Sequence, residues 1–425
     1  MRIFFSVGEP SGDLHGSNLI RRLKSHHPEI ECVGYGGPKM QAAGCDLHFE
    51  LTSLAVMFLA KVIGNLRLFF RLIGNADVYL RDHDVDAVVL IDYPGFNWWI
   101  ARKAKRHGIP VFYYGVPQVW AWAPWRVRKI RKFVDHVLCK LPFEVDWFAA
   151  RNCHGVYVGH PYFDQLAGQI YDESFIESLL QLPSLAIARG EIPENATAEA
   201  ASTGEQLRLL TLLPGSRDQE VENNLPILLR ATAIIAAAVP NLKIAVACFN
   251  EKQRTMAERM LPAGKIPVAV ELFSGRTPEL MKSATVCLAC SGSVSMELLY
   301  HRKPTVIVYK VKRWVMFAQA ILLRTKYITL VNLIAATDIK KTTWGPYDPD
   351  AAIAGTGEAA AIMPEYMTTG DPSRAMAQHV IGWLTDVSLL RTKIDAMDDL
   401  AKLYAQAGAT DKAADYILEQ LNVIK

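Results

Sequence analysis

The sequence predicts an α/β protein made of two Rossmann-like halves in tandem, each an open, doubly wound parallel sheet. Three observations carry this. Near-continuous apolar runs such as DAVVLI recur, as strands buried on both faces require. Helical patterns separate them, and repeated βα units build a parallel sheet. The rhythm stops in a polar Ala/Glu/Thr-rich stretch at 186–206 and then restarts.

Taken in order, residues 2–7 are a β-prone run, 8–16 a glycine-bearing loop, and Leu19, Ile20 and Leu23 the apolar stripe of a helix. Strands follow at 30–34, 86–91, 110–114, 134–139 and 155–158, with a helix at 100–107. In the second half a strand at 208–213 runs into Pro214-Gly215-Ser216-Arg217, then a helix extends through 225–238. Further strands are expected at 243–248, 268–272, 285–288 and 305–308. Residues 340–361 read as an insertion, and helix returns from about 372. The expected domains are 1–170, a linker at 171–206, and 207–395. Helices at 396–425 are expected to pack back on the first domain or on a partner.

Composition excludes several classes. With 425 residues, two domains of about 200 are the simplest division. Hydrophobic residues at 51% and charged residues at 21% support large cores and exclude global disorder. A net charge of +3 is too balanced for a general nucleic-acid binder. Mean hydropathy is slightly positive at +0.11, yet there is no run of about 20 uncharged apolar residues to span a bilayer. The seven cysteines are scattered from Cys32 to Cys290, and a core strand opens the chain. Together these point to reduced thiols and a cytoplasmic protein. Cys287 and Cys290 form a CxxC with no second pair, which fits the end of a buried strand better than a metal site.

Ligands of doubly wound sheets bind beyond the carboxyl ends of the strands, so the strand-to-helix loops deserve the closest reading. In the second half Gly215, Ser216 and Arg217 open a helix, where glycine lets backbone approach an anion and free N–H groups bind phosphate oxygens. Arg217 adds a bidentate donor. Ser291, Gly292 and Ser293 make a second such loop, and Glu297 follows one turn later, in reach of ribose hydroxyls. Neither loop is GxGxxG or a P-loop, so the pair suits a nucleoside diphosphate better than a dinucleotide. The first half offers Gly8-Glu9-Pro10-Ser11-Gly12-Asp13-Leu14-His15-Gly16, then Asp92-Tyr93-Pro94-Gly95-Phe96-Asn97, then Pro117-Gln118-Val119-Trp120, then Gly159-His160-Pro161. Asp92, directly after a buried strand, is placed to face the expected cleft between the halves.

These motifs resemble those of the lipid-A-disaccharide synthases, glycosyltransferase family 19, in order and spacing. GEPSGDLHG, DYPGFN, PQVWAW, GHP, LLPGSR, SGSVSMELL and YITLVNLIA carry the resemblance, over roughly 2–338 and the C-terminal helices. It implies a GT-B fold and transfer of 2,3-diacylglucosamine from its UDP conjugate to 2,3-diacylglucosamine 1-phosphate. It implies inversion, no metal or other cofactor, and an enzyme peripheral to the cytoplasmic face of the inner membrane. Positions matching the family's UDP contacts are Arg217, Glu297 and Asn332. Asp92 is the first candidate for general base, with Glu9, Asp13 and His160 behind it. Ser11, Gly12, Asn97, Gln118, Trp120 and His160 are expected on the acceptor side. The family often carries a second aspartate where this chain has Gly95, so a base at that position is not available. The resemblance also allows a homodimer through exchanged C-terminal segments.

The greasy excess concentrates in 51–73, LTSLAVMFLAKVIGNLRLFFRLI, read as an interfacial amphipathic helix with Leu59, Phe69 and Phe70 in the membrane. The cluster WRVRKIRKF at 125–133, extended by 310–313 and 324–326, is expected to meet anionic lipid or the acceptor 1-phosphate. Two alternatives stand beside this reading. One is a UDP-GlcNAc epimerase-like enzyme, and the other a non-catalytic, membrane-associated nucleotide-binding homologue.

Overall fold

The computed structural model describes residues 1–53, 66–180, 207–261, 266–340 and 361–422. The polar linker at 186–206, nearly all of the insertion at 340–361, and Leu59 lie outside them. The chain divides into two compact units, Met1–Ala167 with Gln406–Lys425, and Gly168–Ala405.

The first unit holds seven strands: β1 (Arg2–Val7), β2 (Glu31–Gly36), β3 (Cys45–Glu50), β4 (Ala87–Ile91), β5 (Val111–Tyr114), β6 (His136–Cys139) and β7 (Gly155–Tyr157). They form one parallel sheet in the order β3-β2-β1-β4-β5-β6-β7. Side chains alternate across it, as strand geometry requires. Phe4, Val88, Leu90 and Tyr113 enter one core, while Ile3, Phe5, Val7, Val89 and Ile91 enter the opposite one.

That second core explains why the chain returns. Helix Pro10–His26 covers part of it with Leu19, Ile20 and Leu23, and helix Ala409–Gln420 completes it with Ala413, Ala414, Ile417 and Leu418. Each large apolar side chain so buried contributes roughly 1.5–3 kcal/mol. Asp164 fixes the start of the returning helix, accepting from the backbone N–H groups of Gly408 at 2.6 Å, Ala409 at 3.1 Å and Thr410 at 2.8 Å. Tyr416 adds hydrogen bonds of 2.9 Å to both His136 and His154.

The second unit holds β8 (Arg208–Leu213), β9 (Leu242–Cys248), β10 (Val270–Ser274), β11 (Val286–Cys290), β12 (Thr305–Lys310) and β13 (Glu365–Thr368). They pair in parallel in the order β10-β9-β8-β11-β12-β13. The boundary expected at 396 cuts through helix Val387–Tyr404, which belongs wholly to this unit. Met397, Leu400 and Ala401 on that helix are buried, so its apolar face anchors it there. The seven cysteines are buried and free, with Cys287 and Cys290 on β11.

The eleven expected strands all appear, with small shifts in their ends, and the sequence reading misses β3 and β13. Both are edge strands. Buried and more exposed residues alternate along CDLHFE, and EYMT is four residues long. Neither presents the apolar run that marks an interior strand.

Candidate active site

In each sheet the strand order reverses beside its first strand, between β1 and β4 and between β8 and β11. Val7 pairs with Ile91 and Leu213 with Ala289, so the loops leaving each pair emerge side by side. These are the switch points at which such sheets bind ligands.

In the first unit the chain leaves β4 through two consecutive non-glycine residues in the left-handed region, Asp92 at φ 46° and Tyr93 at φ 44°. Each costs about 1–2 kcal/mol, so surrounding structure must hold them. Asn97 does much of this. It is fully buried, and its Nδ2 donates to the carbonyls of Asp92 at 2.8 Å, Ser6 at 3.1 Å and Ile91 at 3.2 Å. Its Oδ1 accepts from Ser6 Oγ at 2.6 Å. Tyr113 Oη donates to the Asp92 carbonyl at 2.7 Å. The Tyr93 ring lies over Gly8, where an added Cβ would fall 2.1 Å from it. The strained turn therefore projects the Asp92 carboxylate from the end of β4.

Lys140, directly after β6, lies 3.6 Å from Asp92 Oδ1. Gly115, at φ +69°, makes room for the pair: a Cβ there would stand 2.9 Å from Lys140 Nζ and 3.1 Å from Asp92 Oδ1. Glu9, half-buried after β1, has its pKa raised by burial and then by the charge of Asp92, against the pull of Lys140. Burial, then Lys140, pushes His15 down to about 4, and His15 Nδ1 is buried without a hydrogen-bond partner. His160 is driven well below its usual range by burial, then by Lys140 and His15. The first-unit site thus gathers Glu9, Asp92, Lys140 and His160 from the ends of β1, β4, β6 and β7, and His15 from helix Pro10–His26. Lys140 is not among the site residues expected from the sequence. Its signal is the same as that of Asp92, a charge immediately after a buried strand.

Several expected site residues serve the scaffold instead. Asn97 has no surface to offer an acceptor, because every polar atom of its amide is spent on strand ends. Asp13 is 3% exposed and accepts from the backbone N–H groups of Lys39 at 3.1 Å and Met40 at 3.0 Å. It therefore caps helix Pro38–Ala42 and is not placed to take a proton from substrate. Trp120 is 3% exposed and donates from Nε1 to the buried Glu144 at 2.9 Å. Glu144 also accepts from the N–H groups of Lys140 at 2.9 Å and Leu141 at 3.0 Å. Burial raises the Glu144 pKa, and these bonds oppose the rise. Ser11 and Gln118 are exposed, and Gly12 is buried against Val7. A Cβ on Gly95 would meet nothing within 4 Å.

In the second unit Gly215, at φ +131°, turns the chain from β8 toward helix Asp218–Ala238. The anion-binding N–H groups expected there already have a carboxylate. Glu220 Oε2 accepts from Ser216 N at 3.0 Å and Arg217 N at 3.2 Å, and Oε1 accepts from Arg217 Nη1 at 2.8 Å. A ligand diphosphate at these groups would therefore replace Glu220. The Arg217 side chain is 80% exposed. Asn224 ties the switch point as Asn97 does in the first unit: its Oδ1 accepts from Lys310 N at 3.0 Å and its Nδ2 faces Cys290 Sγ at 3.2 Å.

Ser291, Gly292 and Ser293 follow β11, with Gly292 and Ser293 exposed. Glu297 is buried in helix Val294–Tyr300, and its charge, after burial, helps push Tyr171 up to about 12. Asn332, expected to touch the nucleotide, is 1% exposed. Its Nδ2 donates to the Met363 carbonyl at 2.7 Å and to Glu365 at 3.0 Å, and its Oδ1 accepts from Met363 N at 3.0 Å. Glu365 also accepts from the N–H groups of Ile328 at 2.8 Å and Thr329 at 3.0 Å. Asn332 therefore joins the NLIA segment to Met363-Pro364-Glu365 at the start of β13.

With Arg217 as the expected donor to a nucleoside diphosphate, Arg217→Ala should weaken UDP binding by about 10–100-fold, as loss of a charge-assisted contact would. The thermal midpoint should hardly move, because the side chain is exposed. Calorimetric titration checks this, and unchanged UDP affinity would remove Arg217 from the donor site.

Of the aromatic pair expected at the membrane, Phe69 is half-buried, its ring edge-on to Phe96 at 5.3 Å. It packs on the core, because helix Leu66–Asp82 turns that face inward. Phe70 is 60% exposed and lies 6.4 Å from the ring of Trp99. Trp99, Trp122 and Trp125 are also exposed, as are Arg128, Lys129, Arg131 and Lys132 on helix Val127–Phe133. No described helix is long and apolar enough to cross a membrane.

The family model described as lipid-A-disaccharide synthetase matches residues 3–190 and 188–346. The lipid-A-disaccharide synthase of Psychromonas ingrahamii is 33% identical, over 80% of this chain and 84% of its own length. That of Escherichia coli is 30% identical, over 88% of this chain and 91% of its own. In fold, the chain is similar to a UDP-GlcNAc 2-epimerase from Neisseria meningitidis, with a TM-score of 0.57 at 11% identity, covering 99% and 100% of the two chains. It is also similar to MurG from Acinetobacter baumannii, with a TM-score of 0.50 at 12% identity, covering 98% and 99%. Two Rossmann-like units of GT-B type and relatives aligned over most of their length lead to one assignment: the chain belongs to the lipid-A-disaccharide synthase family and is a glycosyltransferase of lipid A biosynthesis.

Proposed function

We propose that this chain transfers 2,3-diacylglucosamine from its UDP conjugate to the 6-hydroxyl of 2,3-diacylglucosamine 1-phosphate. The acceptor oxygen attacks the anomeric carbon from the face opposite UDP. The bond from that carbon to the β-phosphate oxygen breaks, and its electron pair leaves with UDP. Asp92 accepts the hydroxyl proton, and the product is the β-1,6 disaccharide 1-phosphate. The observation that carries this reading is Asp92 itself, held in a costly conformation at the β1/β4 switch point in a chain of this family. Strained backbone clusters at active sites, ligand clamps and switch regions, which supports a functional role for this turn.

Arg217, with the loop N–H groups of Ser216 and Arg217 once Glu220 yields them, supplies positive charge to the departing diphosphate. Gly215, Ser291, Gly292 and Ser293 shape the donor loops, and Glu297 faces the ribose. Ser11, Gln118 and His160 remain the acceptor-side candidates. We read the reaction as needing no metal or cofactor. Arg217 and the loop N–H groups can supply the positive charge that a metal ion would otherwise bring to the leaving diphosphate. Turnover in mixed micelles tests both points: UDP should be released at the same rate with and without a chelator. No release from folded protein defeats the reading, and loss with chelator alone defeats its metal-free part.

The substrates carry acyl chains, and we place the first unit on the cytoplasmic face of the inner membrane to receive them. Helix Pro94–Arg106 packs against both Leu66–Asp82 and Val127–Phe133, so Phe70, Trp99, Trp125 and the basic residues border one region. Aromatic rings at headgroup level beside cations suit an anionic surface. Liposome flotation should weaken with salt and with Phe70→Ser and Trp125→Ser together, and indifference to both would sink the placement. A homodimer formed by exchanging helix Ala409–Gln420 would keep its contacts with a partner's first unit. Sedimentation as a monomer at micromolar concentration would exclude it.

A further inference from the structure

Lys140 lies outside the seven motifs that carry the family resemblance, yet the titratable groups of the first-unit site respond to its charge. It opposes the rise in Glu9 and, after burial, is the next cause of the fall in both His15 and His160. Its backbone is fixed by the N–H that Glu144 accepts. Gly115 opens the space its ammonium occupies beside Asp92. Both side chains of the pair are mostly enclosed, 20% and 21% exposed, where solvent screens their attraction less than at an open surface.

Asp92 needs such a partner. Asn97 and Tyr113 hold its carbonyl, and these bonds fix the backbone without fixing the carboxylate. Among the described residues, Lys140 is the cation that meets that carboxylate. Without it, Asp92 and Glu9 would face each other as like charges, and the carboxylate would turn toward solvent. A base displaced by about an ångström can lose on the order of 100-fold in rate.

We propose that Lys140 is a positioning residue of the transfer reaction, holding the Asp92 carboxylate where it receives the acceptor hydroxyl proton. The inference rests on reading Asp92 as the base.

The test is a double-mutant cycle on the full chain in mixed micelles, with Lys140→Met, Lys140→Arg, Asp92→Asn and Asp92→Asn/Lys140→Met. Lys140→Gln stands in if the methionine variant does not fold. Lys140→Met is expected to lower kcat by about 10–100-fold, with KM for both substrates within about threefold and the thermal midpoint unchanged. Lys140→Arg should recover most of that loss. In the Asp92→Asn background the lysine substitution should add less than about twofold, since a residue acting through another has nothing left to act on. A loss carried by KM, or one that multiplies fully with Asp92→Asn, overturns the proposal, because Lys140 would then act on the substrate itself. Near-normal turnover in Asp92→Asn alone instead defeats the base reading, and the proposal falls with it.

Discussion

Asp92→Asn should lower turnover by about 10²–10⁴-fold, the usual contribution of a general base, while leaving UDP affinity and the thermal midpoint close to those of the parent. The substitution is nearly isosteric. It preserves the backbone carbonyl that Asn97 and Tyr113 grip at 2.8 Å and 2.7 Å, so the left-handed turn at 92–93 keeps its support. Asparagine also tolerates that turn well. What disappears is the capacity to take a proton and the ion pair with Lys140. In the proposed arrangement UDP is held by the loops after β8 and β11, so its affinity should be indifferent to the change. The measurement is kcat alongside calorimetric UDP titration. Retained turnover would move the base to Glu9, whose raised pKa and place after β1 make it the next carboxylate in line.

Asn97→Ala should act on the fold before it acts on chemistry. It removes the acceptor of Ser6 Oγ and the donor to three carbonyls at the ends of β1 and β4. Each buried polar group left without a partner costs about 1–3 kcal/mol, and some of those carbonyls keep other bonds, so a net loss of about 2–4 kcal/mol is expected. For a unit of this size that corresponds to a fall of roughly 5–15 °C in Tm. The strained turn would relax as well, so activity should fall even where the protein remains folded. Scanning calorimetry with an activity assay separates this from a role in acceptor binding. An unchanged Tm with a raised acceptor KM would return Asn97 to the site.

Asn97 also shows what could be read from sequence and what could not. Strand positions with continuous apolar runs, such as AVVLI of β4 and VCLAC of β11, were legible because burial on both faces leaves that pattern. The loops after them followed from topology alone. The edge strands β3 and β13 were not legible, since a strand covered on fewer sides carries a shorter or alternating signal. Within the loops, sequence located the polar residues but not their partners. Asn97, Asp13, Trp120 and Asn332 stand among motif letters as if for ligand, and the fold spends each on its own backbone or on a buried carboxylate. Burial is a tertiary property that a motif does not encode. Lys140 is the converse case, a residue without a motif that the sheet order brings to Asp92.

The central claim is an inverting transfer with Asp92 at its centre, and the linkage of the product tests it most directly. Purified protein is incubated with UDP-2,3-diacylglucosamine and 2,3-diacylglucosamine 1-phosphate in mixed micelles, and the disaccharide is examined by proton NMR. The account predicts one UDP per disaccharide and the large anomeric coupling of a β-1,6 linkage. An α-linked product, or UDP released with free sugar and no disaccharide, would contradict it.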